Sequence, residues 1–253
     1  MEREIDIEKI ALTILETKAV EIREVPQKVT NKEVERLPVE NQPFLQASGN
    51  WGPGYVTIKN LVGRKKIIKS LTWSLAWLIA EKVPHLNFVA GNVTGGVIPG
   101  WLISEHLEML LKRTVPFVYI REARKKGGQK ELITGIANNP EIPSGANGLV
   151  VEELVNFAQT TCNRADALRD AGYIVTHAAT ILFYCNPEAI AALKRHKIEM
   201  IFLLTLPDLL DVAEKNQTHS QKAIVDYRKF LIDPLGWQAD RGLTPIEREG
   251  TIE

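Results

Sequence analysis

The chain has 253 residues, 45% of them apolar, and its 31 Lys plus Arg balance 31 Asp plus Glu. That length suits one large domain or one domain with additions, and a neutral total gives no bulk attraction for a nucleic-acid backbone. Average Gly and Pro usage excludes collagen-like and low-complexity classes, and with only Cys162 and Cys185 there is neither a disulfide framework nor a Cys-based zinc site.

The segment Met1-Glu2-Arg3-Glu4-Ile5-Asp6 is acidic and lacks the apolar core of a signal peptide. The most apolar windows, Leu71–Ala80 and Ile198–Leu210, fall short of the ~20 apolar residues of a spanning helix. The expectation is a cytoplasmic protein with neither a membrane nor a nucleic-acid partner.

Ile7, Ile10, Ala11, Ile14 and Leu15 recur with helical spacing, predicting a helix over 5–19. Residues 21–43, with Pro26, Pro38 and Pro43, read as irregular or weakly paired strand. Trp51-Gly52-Pro53-Gly54 is a turn before a short strand at Tyr55–Ile58, and a helix follows over 65–82. An alternation then begins. Strands are expected at Leu86–Ala90, Val115–Ile120, Gly148–Glu152, Tyr173–Tyr184 and Ile198–Leu204. Helices are expected after the Gly91–Gly96 loop to Lys112, over Thr160–Ala171, Pro187–Arg195 and Pro207–Lys215. Alternating strands and helices predict an α/β fold, a twisted parallel sheet flanked by helices on both faces.

In such sheets ligands bind beyond the carboxyl ends of the strands, and three unusual segments stand there. In Gly91-Asn92-Val93-Thr94-Gly95-Gly96 the glycines permit close backbone approach and the loop opens a helix, so a phosphate or pyrophosphate fits; a tight strand–helix turn accounts for the same residues. Half of the segment 121–130 is cationic: Arg121, Arg124, Lys125, Lys126 and Lys130. With Gly127-Gly128 it can close over a phosphorylated substrate, or it is a solvated loop. The third segment, Gly148 to Thr161, is an apolar strand ending in Glu152-Glu153 and leading to a helix start. Its carboxylates can hold a ribose diol, directly or through Mg²⁺, and Thr160 and Thr161 can bind a phosphate or simply cap the helix. Among the other singled-out residues, His106 reads as structural, and Trp73 and Trp77, four apart on one helix, read as core. Cys162, at a helix start, is either a thiol of lowered pKa or a packed one.

These three segments, in this order, resemble a type I phosphoribosyltransferase, and in detail the orotate phosphoribosyltransferase family. Phe44-Leu45-Gln46-Ala47-Ser48-Gly49 with Pro53 and Tyr55 resembles that family's N-terminal motif. Gly91 to Pro99 is similar to its pyrophosphate loop, Tyr119–Gly135 to its catalytic loop, and Val150–Gly172 to its diphosphate-sugar motif and following helix, ending in Leu168-Arg169-Asp170-Ala171-Gly172. The resemblance implies one domain over 1–253. About 1–60 would form a small N-terminal hood, with 21–43 as an insertion. About 61–216 would be the core, and about 217–253 a C-terminal helix and tail. It implies a homodimer, phosphoribosyl diphosphate with Mg²⁺, and displacement of pyrophosphate by a nitrogen of a pyrimidine base, orotate.

Carried over residue by residue, the resemblance makes Lys125 and Arg121 stabilise the leaving pyrophosphate, while Thr94, Gly95 and Gly96 cradle it. Glu152 and Glu153 would hold the ribose hydroxyls, and Asn156, Phe157, Ala158, Gln159, Thr160 and Thr161 would form the 5′-phosphate loop. The base pocket is expected near 182–186, with Tyr184 and Asn186 as candidates. The departures are specific. Glu153 replaces an Asp, Phe157-Ala158-Gln159 replaces Thr-Gly-Gly, Ala47 replaces a Lys, Glu122 a Lys and Gly127 a His. Arg124 and Lys126 would supply substitute charge. A second reading therefore stands beside the enzyme: a catalytically impaired relative that binds a nucleotide or phosphorylated ligand for regulation.

Overall fold

The computed structural model describes residues 5–46, 49–121 and 132–246. By their contacts these fall into two compact units, one of Met1–Ile7 with Ile58–Leu206, the other of Glu8–Thr57 with Pro207–Glu253.

The first unit carries the sheet. α2 (Lys65–Lys82) buries Ile68, Leu71, Leu75, Ala76 and Ile79, one face of a 3.6-residue period. β5 (Phe88–Asn92) is buried along its whole length, as a central parallel strand should be. It is followed by α3 (Val97–Leu111), β6 (Phe117–Ile120) and β7 (Ile133–Thr134). Then come β8 (Asn147–Val155), α4 (Gln159–Asp170), β9 (Ile174–Phe183), α5 (Pro187–Arg195) and β10 (Glu199–Thr205). Asn186 caps α5, its side-chain oxygen accepting from Ala189 N at 2.8 Å, and Pro187 opens the helix.

The sheet order is β10-β9-β8-β5-β6-β7. The first five strands pair in parallel, and β7 closes the β6 edge antiparallel, Tyr119 opposite Thr134. The expectation of a parallel sheet is therefore corrected at one edge, where β7 is too short for its period to show. α3 packs on β5, β6 and β8, while α4 packs on β8 and β9. Right-handed crossovers leaving β5 and β8 in opposite directions put these two helices on opposite faces. Phe88, Ala90, Val118, Ile120, Val150 and Ala178 belong to the core between sheet and helices. Leu86–Ala90 is shifted to Phe88–Asn92, because Gly91 and Asn92 still pair with Tyr119 and Ile120.

The second unit pairs β1 (Val20–Ile22) with β4 (Gly54–Val56) and β2 (Phe44–Leu45) with β3 (Trp51–Gly52), all antiparallel. It also holds nearly all of α1 (Ile7–Glu16) and of α6 (Leu206–Lys215), followed by α7 (Gln221–Ile232) and α8 (Pro234–Arg241). Val25, Val29 and Val34, from the irregular 21–43 stretch, share a core with Trp51, Trp237 and Leu243. That stretch is thus packed rather than appended. Arg241 donates to Asp226, both of them buried, and lies over the Trp237 ring at 3.8 Å. Phe44 stacks on Tyr55 at 5.6 Å and carries Arg23 over its other side at 3.7 Å. No helix among the described residues is long and apolar enough to cross a membrane.

Candidate active site

The chain leaves β5 for β6 on one side and β8 for β9 on the other. The loops that follow β5 and β8 diverge there and open a crevice beyond the strand ends, the usual ligand position in an open α/β sheet. The β5–α3 loop contains a cis peptide between Val93 and Thr94. Thr94 is exposed at its tip. Gly96 is buried: a Cβ there would strike the Val151 carbonyl and stand 2.8 Å from Asn92 N. Gly91 is equally confined, 2.7 Å from the Gly96 carbonyl. These two glycines fit the loop to the sheet, whereas Gly95 faces the Glu153 carboxylate, which a Cβ would strike.

The acidic pair does not end its strand. β8 continues to Val155 because β9 continues beside it, Leu154 opposite Leu182 and Val155 opposite Phe183. Consecutive residues of a strand project to opposite sides, so the two carboxylates separate. Glu152 accepts from the Thr161 hydroxyl of α4 at 2.5 Å. Glu153 lies against Gly95, in the field of Lys59 from the short helical turn Ile58–Gly63. Burial pushes both carboxyls above the ordinary glutamate range. For Glu152 the hydrogen bonds from Thr161 and Asn92 pull the other way, and the neighbouring Glu153 adds to the rise. For Glu153 its own backbone N–H and Lys59 oppose it.

At the start of α4, Ala158 is the N-cap residue in the left-handed region, φ 59°, and is buried. This is the conformation a glycine adopts without penalty, so Ala158 keeps the glycine's backbone and adds a methyl group. Phe157 is 49% exposed, its ring at the surface. Gln159 donates to Asn163 along the helix at 3.0 Å. Thr160 is exposed, but Thr161 is 2% exposed with its hydroxyl turned to Glu152. The expectation that Thr161 Oγ1 is offered to a phosphate is corrected: that hydroxyl is the donor that holds Glu152. The Asn156 carbonyl accepts from Asn186 Nδ2 at 2.8 Å, tying the loop to the α5 cap.

Arg121 is fixed at the end of β6. Its Nε donates to Thr134 Oγ1 and its Nη2 to the Tyr119 hydroxyl, each at 3.1 Å. Lys125, Arg124 and Lys126 lie outside the described residues, as does Ala47. Tyr184 is half-buried, and its N–H donates to the Val155 carbonyl at 2.9 Å. His106 is buried edge-on against Trp73, 5.2 Å between centroids, and burial holds its pKa down. Trp73 and Trp77 are only half-buried, a correction to their expected place in the core, since the buried face of α2 is that of Ile68, Leu71, Leu75 and Ile79. Cys162 is packed in the core, where burial raises its thiol pKa instead of lowering it.

Sequence reasoning missed three residues. Asn92 is 4% exposed at the end of β5, and its Oδ1 accepts from Arg164 Nε at 3.0 Å. Arg164 stands four residues after Thr160, a helical spacing that puts both on one face and could have flagged it. Nothing in the sequence links Lys59 to Glu153, since only the fold brings them together.

The fold is that of the type I phosphoribosyltransferases. A Mycobacterium tuberculosis orotate phosphoribosyltransferase, solved in complex with 5-phospho-alpha-D-ribosyl 1-diphosphate, superposes with TM-score 0.52 at 18% identity over 82% of this chain and 93% of that one. Leishmania donovani UMP synthase matches with TM-score 0.60 at 18% identity over 89% of this chain, which spans 42% of that longer protein. In sequence the chain resembles curated orotate phosphoribosyltransferases. It is 29% identical over 206 residues to that of Jannaschia sp. (strain CCS1), covering 80% of this chain and 86% of the relative. No protein-family profile matches the chain.

Proposed function

We propose that the chain is an enzyme of the orotate phosphoribosyltransferase type, transferring phosphoribosyl from phosphoribosyl diphosphate to orotate with release of pyrophosphate. The observation that carries this reading is the meeting of the Gly95 loop, the Glu152–Glu153 segment and the start of α4 at the β5/β8 crevice. In this reading Glu152 and Glu153 receive the ribose hydroxyls. Thr94 and the Gly95–Gly96 loop receive the diphosphate. The first N–H groups of α4, with Asn156 to Gln159 and the exposed Thr160, receive the 5′-phosphate. The diphosphate arrives as its Mg²⁺ complex, part of the substrate.

As the bond from C1 of the ribose to the diphosphate breaks and the bond to the base nitrogen forms, negative charge grows on the departing pyrophosphate. In this reading Arg121, whose guanidinium donates to Tyr119 and Thr134, meets it, with Lys125 as its partner and Arg124 and Lys126 adding charge. One preorganised donor to such charge contributes about 3–4 kcal/mol. The base is received near Tyr184. A homodimer in the cytoplasm completes the reading, and sedimentation would give twice the 28.3 kDa chain mass.

Loss of orotate absorbance with phosphoribosyl diphosphate and Mg²⁺ is the expected result, abolished by Lys125→Ala. Absence of turnover with orotate and with related bases would overturn the reading. The replaced phosphate loop at Phe157-Ala158-Gln159, together with Glu153 lying on Gly95, favours the regulatory alternative. Calorimetric binding of phosphoribosyl diphosphate without turnover would establish that alternative instead.

A further inference from the structure

Glu152 is held by a chain of side chains that ends on a cation. Thr161 donates to Glu152 Oε1. Asn92 lies beside Glu152 on the neighbouring strand, each one residue past the Gly91–Val151 pair, and lowers that carboxylate's proton affinity, as an amide presenting its N–H₂ group does. The other end of that amide is taken, because Asn92 Oδ1 accepts from Arg164 Nε at 3.0 Å. A buried amide has two orientations of nearly equal shape, and one of them would put its oxygen against a carboxylate. An Arg has donors only, so Arg164 selects the orientation that serves Glu152. Arg164 also opposes, through its charge, the repulsion from Glu153 on the same strand.

We propose that Arg164 is a positioning residue: by donating to Asn92 Oδ1 it turns the Asn92 amide toward Glu152 and so fixes that carboxylate for the ribose hydroxyls. The role extends the phosphoribosyl reading of the site, but its local consequence is independent of turnover. Glu152 faces Thr161 and Arg164 from α4, Asn92 from β5, and Glu153 from its own strand. With Arg164 gone, Asn92 is free to turn and Glu152 loses both a donor and a favourable charge.

The test uses the full chain with Arg164→Met, which keeps the stem, and Arg164→Lys, which keeps a donor and the charge. Carbon-13 NMR of labelled glutamates follows the Glu152 titration, assigned with Glu152→Gln. The midpoint should rise in Arg164→Met and return most of the way in Arg164→Lys, with thermal melts reporting the fold. If Arg164→Met does not fold, Arg164→Lys carries the test through a smaller rise. In the activity assay kcat/KM should fall about ten- to a hundredfold near neutral pH, on the scale of a misplaced reacting group. The acid limb of its pH profile should move up, which a merely structural role would not produce. An unmoved Glu152 midpoint in the folded variants overturns the proposal. Wild-type chain that fails to turn over would instead overturn the enzymatic reading, while the NMR result still decides the role of Arg164.

Discussion

Glu152 and Glu153 are neighbours in the chain with different surroundings. Glu152 is bound by Thr161 and Asn92, whereas Glu153 lies on bare Gly95 with Lys59 as its counter-charge. Its one extra methylene, relative to the family's Asp, lets it reach the loop. Shortening it should free the loop for the diphosphate. Glu153→Asp is expected to raise kcat/KM, within the roughly hundredfold that a misplacement of about 1 Å can cost; steady-state kinetics check it, and a fall would count against Glu153 obstructing the loop. Ala158 offers a second residue-scale test. A non-glycine residue in the left-handed region carries about 1–2 kcal/mol of strain, and Ala158 has φ 59°. Ala158→Gly should therefore stabilise the fold by up to about 1 kcal/mol, since glycine gives part of that gain back as unfolded-chain entropy. Chemical denaturation measures the difference.

Among the elements, the long helices were the most legible. α2 and α5 begin and end where periodicity and the Asn186-Pro187 cap place them. Strand ends were not legible, because they depend on partners. β5 takes in Gly91 and Asn92 from the expected loop, and β8 runs past the acidic pair. The same dependence separates the two loop glycines. Gly95→Ala first meets the movable end of Glu153, so melting should change little while the binding of inorganic pyrophosphate changes. Gly96→Ala meets the backbone of Val151 and Asn92. Such overpacking costs about 1–3 kcal/mol or more, so the Gly96 variant should melt well below the Gly95 variant. Equal melting of the two would refute the distinction.

For the whole molecule, the partly buried carboxyls of Glu152 and Glu153 set a pH dependence of stability. The folded-state pKa of Glu152 and of Glu153 is raised, first by burial. A raised folded pKa means that their protonation favours the fold. The contribution is fully present below the unfolded value of about 4.3 and is lost as pH rises through the folded values. Glu152→Gln and Glu153→Gln should each melt higher than wild type at neutral pH, with the advantage fading toward about pH 4. An advantage that grew on acidification would refute the assignment. Greater stability with impaired activity is the usual relation for a functional site.

The sequence by itself determined the alternation of strands and helices, the fold class, and the three segments that meet at the strand ends. It did so because apolar periodicity, glycine placement and helix caps are local properties of the chain. Only the tertiary structure decided which way each side chain points. Strand pairing carried β8 past the acidic pair and sent its carboxylates to opposite sides. Helix packing turned Thr161 inward and brought Arg164 to Asn92, and packing of the Ile58–Gly63 turn on β8 brought Lys59 near Glu153. The balanced total charge of the chain therefore resolves, at the crevice, into two partly buried carboxylates, one in the field of Arg164 from the following helix and the other in that of Lys59 from a distant segment.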